Sequence, residues 1–131
     1  MSETRTGQEN AATASGRTAY HAGRSAEGTV ALEYERRWYA LVSCRWRGPG
    51  GEIDLIVRNA EGVVFVEVKK SRSFAQAAER IHVRQIERVM ASAAAFLEGE
   101  PDGQLTPVRF DVALVDAVGA VRIIENAFGH V

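Results

Sequence analysis

At 131 residues, with 46% hydrophobic and 25% charged content, the chain is the size of one globular domain with a real core. A net charge of −1 excludes the strongly basic profile of a chain that coats nucleic acid by charge alone. The single cysteine, Cys44, excludes an internal disulfide and a cysteine-built zinc site; no run is apolar enough to span a membrane and no signal-like leader is present, so a cytoplasmic location is expected.

Residues 1–16 are rich in Ser, Thr, Ala, Gly, Gln and Asn without periodicity and read as a flexible tail, leaving 17–131 as one domain. A helix is expected from near Arg17 or Arg24 to about Arg37, because Ala26, Val30, Tyr34 and Trp38 recur at i+4 and Ala31 stands beside them. Gly23 and Gly28 weaken it by up to about 1 kcal/mol each. Glu27 lies next to the apolar stripe and reads as a boundary carboxylate in a surface pair. Tyr39 to Arg47 reads as a strand in which Cys44 packs and Trp46, which between Arg45 and Arg47 could also serve as an aromatic between phosphate contacts, is a packed edge residue with its basic neighbours in water, ending at the turn Gly48-Pro49-Gly50-Gly51. His21, His82 and His130 are far apart and lack ligand spacing.

Gly51 to Arg58 and Val63 to Lys69 are β-branched, apolar runs flanking Asn59-Ala60-Glu61-Gly62, the signal of a hairpin. If Arg58 faces Val63, Asp54 faces Glu67 and Glu52 faces Lys69, and alternation puts all four on one face. Glu52 then supports Lys69 as an ion pair. Asp54 and Glu67 repel each other unless a cation stands between them. Two carboxylates with room for water suit Mg²⁺.

Lys70 to His82 leaves the strand ends that carry these residues, and part of it reads as a helical turn. Val83 to Leu97 is an amphipathic helix with Ile86, Val89, Met90, Ala93, Phe96 and Leu97 on its apolar face, Arg84 and Arg88 one turn apart on a polar face, and Gln85 in its first turn. After a loop at Pro101-Asp102-Gly103, strands are expected at Val108 to Val115 and Ala120 to Ile124, with Asp111 on a half-exposed strand face. The order is αβββαββ. The connection from the third strand to the fourth runs through a helix, which fits parallel neighbours in a mixed α/β sheet flanked by helices.

Gly51-Glu52-Ile53-Asp54-Leu55-Ile56 followed by Phe65-Val66-Glu67-Val68-Lys69 resembles the PD-(D/E)XK motif of the restriction-endonuclease-like nucleases, and from about Arg24 to Glu125 the chain resembles the YraN family of bacterial proteins. The resemblance implies a restriction-endonuclease-like core and a nuclease that uses Mg²⁺ or Mn²⁺. It assigns Asp54, Glu67 and the Val68 carbonyl to the metal and Lys69 to the reacting phosphate. For Glu27 it adds a second reading, the first-helix glutamate that related nucleases bring to the metal. It also implies nucleic acid as partner, with DNA favoured over RNA, and hydrolysis that leaves a 5′-phosphate. Arg72, Arg84, Gln85 and Arg88 are the candidate nucleic-acid contacts, Gln85 and Arg84 serving as well as contacts to metal-bound water. A homodimer is compatible with cutting both strands. Two other classes fit the same residues: a nucleic-acid-binding domain that cuts nothing, and an interaction module whose charges are structural.

Overall fold

The computed structural model describes residues 25–128; the expected tail and the expected start of the first helix at Arg17 or Arg24 lie outside the described residues. Helix α1 spans Ala26–Arg36. Its N-terminus is set by Ser25, whose hydroxyl accepts from the Gly28 amide at 3.0 Å. Val30, Ala31 and Tyr34 are its buried stripe, but Trp38 does not extend it. The helix stops at Arg36, Trp38 takes φ 70°, and the indole is left 89% exposed.

Strands β1 (Ala40–Gly48), β2 (Gly51–Asn59) and β3 (Gly62–Lys70) form an antiparallel meander. A short helix α2 (Phe74–Ala78), the long helix α3 (Val83–Leu97) and a 3₁₀ turn (Gly103–Leu105) lead to β4 (Val108–Val115) and β5 (Val121–Ile124). The sheet order is β1-β2-β3-β4-β5, with β3 and β4 parallel and the other neighbours antiparallel. This is a mixed α/β architecture with a five-stranded sheet. Among the described residues no helix is long and apolar enough to cross a membrane.

The two sheet faces carry separate cores. On one, α1 packs Val30, Ala31 and Tyr34 against Leu55, Val57, Val64, Val66, Ala113 and Val115. On the other, α3 packs Val89, Ala93 and Leu97 against Ile53, Ile56, Val63 and Phe65. Alternation along β3 explains the division, since Val64 and Val66 serve one core and Val63 and Phe65 the other.

Asp111 is not half-exposed: its relative exposure is 0%. Period two places it with Ala113 and Val115 under α1, where it must be paired to be tolerated. The Tyr34 hydroxyl donates to it at 2.7 Å, Arg109 donates twice at 2.8 and 2.9 Å, and the Asn126 amide donates at 2.9 Å. Arg109 also donates to the Tyr39 hydroxyl at 2.9 Å. Burial, then the Asp111 charge, hold the Tyr34 hydroxyl far above its usual range. The network ties α1 to β4, the strand that lies beside β3.

Candidate active site

The hairpin follows the expected register from Asn59↔Gly62 to Leu55↔Val66 and then changes character. Leu55 faces the α1 core, yet Ile53 faces the α3 core, so β2 loses its period of two at Asp54. Ladder pairing with β3 stops there. The Val68 amide donates instead to Asp54 Oδ2 at 2.8 Å, which fixes the carboxylate beside β3. Burial and then the Glu67 charge push the Asp54 carboxyl up to about 7, Glu27 adds to this, and the Val68 amide and Lys69 oppose it.

Glu67 and Lys69 are both only 8% exposed, and Lys69 Nζ lies 3.1 Å from Glu67 Oε2. Two charged side chains at i and i+2 share a strand face, and here they neutralise each other within one strand. The expected Glu52–Lys69 pair does not form. Past Asp54 the two strands no longer pair, and Glu52 instead faces Arg47 on β1, with Arg47 Nη2 at 3.2 Å from Glu52 Oε2.

Gly50, Gly51, Glu52, Glu67, Gln85, Arg88 and Val89 line an open cavity of about 210 Å³. Two elements shape it. The loop at Gly48–Gly51 lies hard against α3: a Cβ on Gly50 would stand 2.3 Å from the Arg88 carbonyl oxygen. Ser92, fully buried, accepts from the Gly50 amide at 3.0 Å and donates to the Gly51 carbonyl at 2.8 Å. Sequence reading passed over Ser92, although a hydroxyl at i+3 from Val89 and i+4 from Arg88 on a packed helix was the available signal. Gln85, in the first turn of α3, lines the cavity as well, and its buried Oε1 has no hydrogen-bond partner among the described residues. A buried carboxamide oxygen left unsatisfied costs free energy, so it marks a place for a donor or a cation.

The described arginines fall into two groups. Arg36 and Arg37 pair with Glu33, Arg45 with Glu27, Arg47 with Glu52, Arg58 with Glu100 and Arg109 with Asp111. Arg80 donates to the Lys70 carbonyl, and Arg122 lies over the Phe74 ring. Arg72, Arg84 and Arg88 are exposed and form no ion pair among the described residues. Arg88 lines the cavity, Arg84 is one turn before it on α3, and Arg72 follows the end of β3. Trp46 is packed as expected, its ring meeting Phe96 edge-on with centroids 5.4 Å apart, whereas Cys44, expected to pack, is exposed on β1.

The donor set suits a hard divalent cation that keeps several waters. Asp54 and Glu67 supply carboxylates whose mutual repulsion such an ion would reverse, and the Gln85 carboxamide oxygen is unspent. Glu27 does not complete a set of three: its carboxylate lies 3.6 Å from Arg45 Nη2, and among the described residues no three His, Cys, Asp or Glu side chains gather closely enough to hold one ion.

The sequence model described as "Uncharacterised protein family UPF0102" matches residues 26–115, a span that includes α1, the meander, α3 and β4. A UPF0102 protein of Ruegeria pomeroyi is 63% identical over 109 residues, covering 83% of this chain and 89% of its own. One from Cereibacter sphaeroides is 57% identical over 114 residues, 87% of this chain and 97% of its own. One from Roseobacter denitrificans is 56% identical over 123 residues, 94% of this chain and 95% of its own.

Proposed function

The chain belongs to the UPF0102 family, and from that premise and the chemistry of its acid–lysine cluster we propose that it is a divalent-metal-dependent nuclease that hydrolyses phosphodiester bonds in nucleic acid, DNA foremost. The observation that carries the reading is an imbalance. Two carboxylates, Asp54 and Glu67, act on each other in a poorly hydrated place, while Lys69 is the one ammonium within reach among the described residues and Gln85, whose buried carboxamide oxygen has no partner there, lines the adjoining cavity. Like charges held together without a full complement of cations fit a site built for an ion that arrives later.

In this reading Asp54 and Glu67 hold Mg²⁺ or Mn²⁺, with the Val68 carbonyl as a further ligand by resemblance to the PD-(D/E)XK nucleases. The mixed sheet and the order of its elements are what such a restriction-endonuclease-like core requires. A bound ion of this kind supplies an acidified water and neutralises phosphate charge. The Val68 amide keeps the Asp54 carboxylate aimed at β3. Lys69 turns its ammonium from Glu67 toward the non-bridging phosphate oxygens as charge builds there. Arg84 and Arg88 hold phosphates along α3, and Arg72 does so beyond the strand end. Gln85 orients a water through its free oxygen. The protein acts in the cytoplasm, as a homodimer where both strands are cut.

The second reading is a nucleic-acid-binding domain that does not cut; the closed Lys69–Glu67 pair at 3.1 Å favours it, because a lysine spent on a neighbour is not free for phosphate. The two separate in one experiment. Purified protein is incubated with labelled duplex, single-stranded, flap and four-way-junction DNA and matching RNAs, in Mg²⁺, Mn²⁺ or chelator. The nuclease reading expects metal-dependent cleavage of at least one substrate, abolished by Asp54→Ala and slowed roughly a hundredfold by Lys69→Ala. Binding without cleavage establishes the second reading; neither binding nor cleavage leaves an interaction module.

A further inference from the structure

Arg45 is the one non-glycine residue with positive φ inside a described strand: its φ is 54°, whereas Trp38 and Asn126 lie outside the strands. An arginine resists this backbone shape, and residues held in it gather where the surroundings demand a particular side-chain direction. The demand here is local. On β1, Cys44 faces Leu55 and Trp46 faces Ile53, so Arg45 stands across from Asp54, and the ladder lapses between them. The irregular residue on β1 and the residue where β2 loses its alternation are therefore cross-strand neighbours.

The guanidinium reaches to the first turn of α1. Arg45 Nη2 lies 3.6 Å from Glu27 Oε1, with the arginine side chain 62% exposed and the glutamate 26% exposed. That is an ion pair without a hydrogen bond, held by charge and open to competition. Glu27 in turn acts electrostatically on Asp54. Asp54 therefore feels two acid–cation pairs: Glu67 with Lys69, which is buried, and Glu27 with Arg45, which is largely exposed. A glycine would take this backbone shape without strain, so the shape alone does not account for an arginine.

We propose that Arg45 is the resident counter-cation of this acidic cluster: its guanidinium offsets Glu27 while no divalent ion is held, and it yields when an ion binds beside Asp54. The inference rests on the metal-site reading above. It makes Arg45 a positioning residue, one that acts through Glu27 and sets how tightly the cluster takes an ion.

The test uses Mn²⁺ alone as probe, in calorimetric titrations of the full chain and its Arg45→Gln, Arg45→Lys and Arg45→Gln/Glu27→Gln variants, with melting of each in chelator. Removing the guanidinium destabilises the ion-free state and removes a like charge from the ion-bound one, so both effects tighten binding. Arg45→Gln should bind Mn²⁺ roughly fivefold more tightly, the scale of one exposed ion pair, and melt lower in chelator. Arg45→Lys should keep the wild-type affinity, and the double variant should recover the melting loss. Unchanged or weaker Mn²⁺ affinity in Arg45→Gln, with wild type binding normally, overturns the role of Arg45 and leaves the metal site standing. No Mn²⁺ binding by wild type overturns the metal site itself, and the inference with it.

Discussion

Asp54 and Glu67 carry the same charge in the same site, yet their neutralisation has opposite consequences in metal-free protein. Asp54 is held up to about 7 against an ordinary 3.8, so between these values the folded chain keeps a proton that the unfolded chain has lost. Stability from this group therefore falls as pH rises across that window and stays low above it. In chelator, the melting temperature of Asp54→Asn should rise relative to wild type as pH goes from about 4 to about 7. Asparagine keeps an oxygen for the Val68 amide, so little is lost in exchange. From the sequence, Glu67→Gln is expected to behave likewise, since it too removes one of two like charges. The structure reverses that expectation. Glu67 is the partner of a lysine 8% exposed, and Glu67→Gln strands a buried ammonium. It should cost about 3 kcal/mol in urea unfolding with chelator present. Equal effects of the two substitutions would contradict this account of the pair.

At the scale of elements, the site depends on how the Gly48–Gly51 loop seats on α3. Gly50→Ala drives a methyl into the Arg88 carbonyl, and Ser92→Ala removes both bonds to the loop. Each should destabilise by about 1–3 kcal/mol and speed amide exchange at Gly50 and Gly51, with β4 unaffected. Much of this scale was legible in the sequence. Val83–Leu97 and Val108–Val115 have the expected bounds, because a helical stripe and an uninterrupted β-branched run leave little choice. The Arg58↔Val63 register was legible because the turn fixes it. What alternation could not give was its own failure at Asp54, where a side chain takes over a backbone amide. For the same reason Glu52 was given the wrong partner. Asp111 was misread because two of its donors come from residues 77 and 15 positions away, and no local pattern reports a hydroxyl delivered to a strand by a helix.

Across the whole molecule, a net charge of −1 conceals an arrangement. Most described arginines are spent on acids, carbonyls or a ring, and Arg72, Arg84 and Arg88, which are not, lie where β3 ends and α3 begins. Binding to nucleic acid should therefore depend on salt through few contacts. Arg84→Ala and Arg88→Ala should each lower the slope of log affinity against log salt by roughly one. Arg36→Ala, in the last turn of α1 and already paired with Glu33, should leave the slope unchanged in the same filter-binding series.

The central claim, that Asp54 and Glu67 form a site for a divalent ion, is met most directly by calorimetric titration of Mn²⁺ into wild type, Asp54→Ala and Lys69→Ala without nucleic acid. The account predicts saturable binding by wild type, its loss in Asp54→Ala and its retention in Lys69→Ala. Absence of binding by wild type, or the same isotherm for Asp54→Ala, would contradict it.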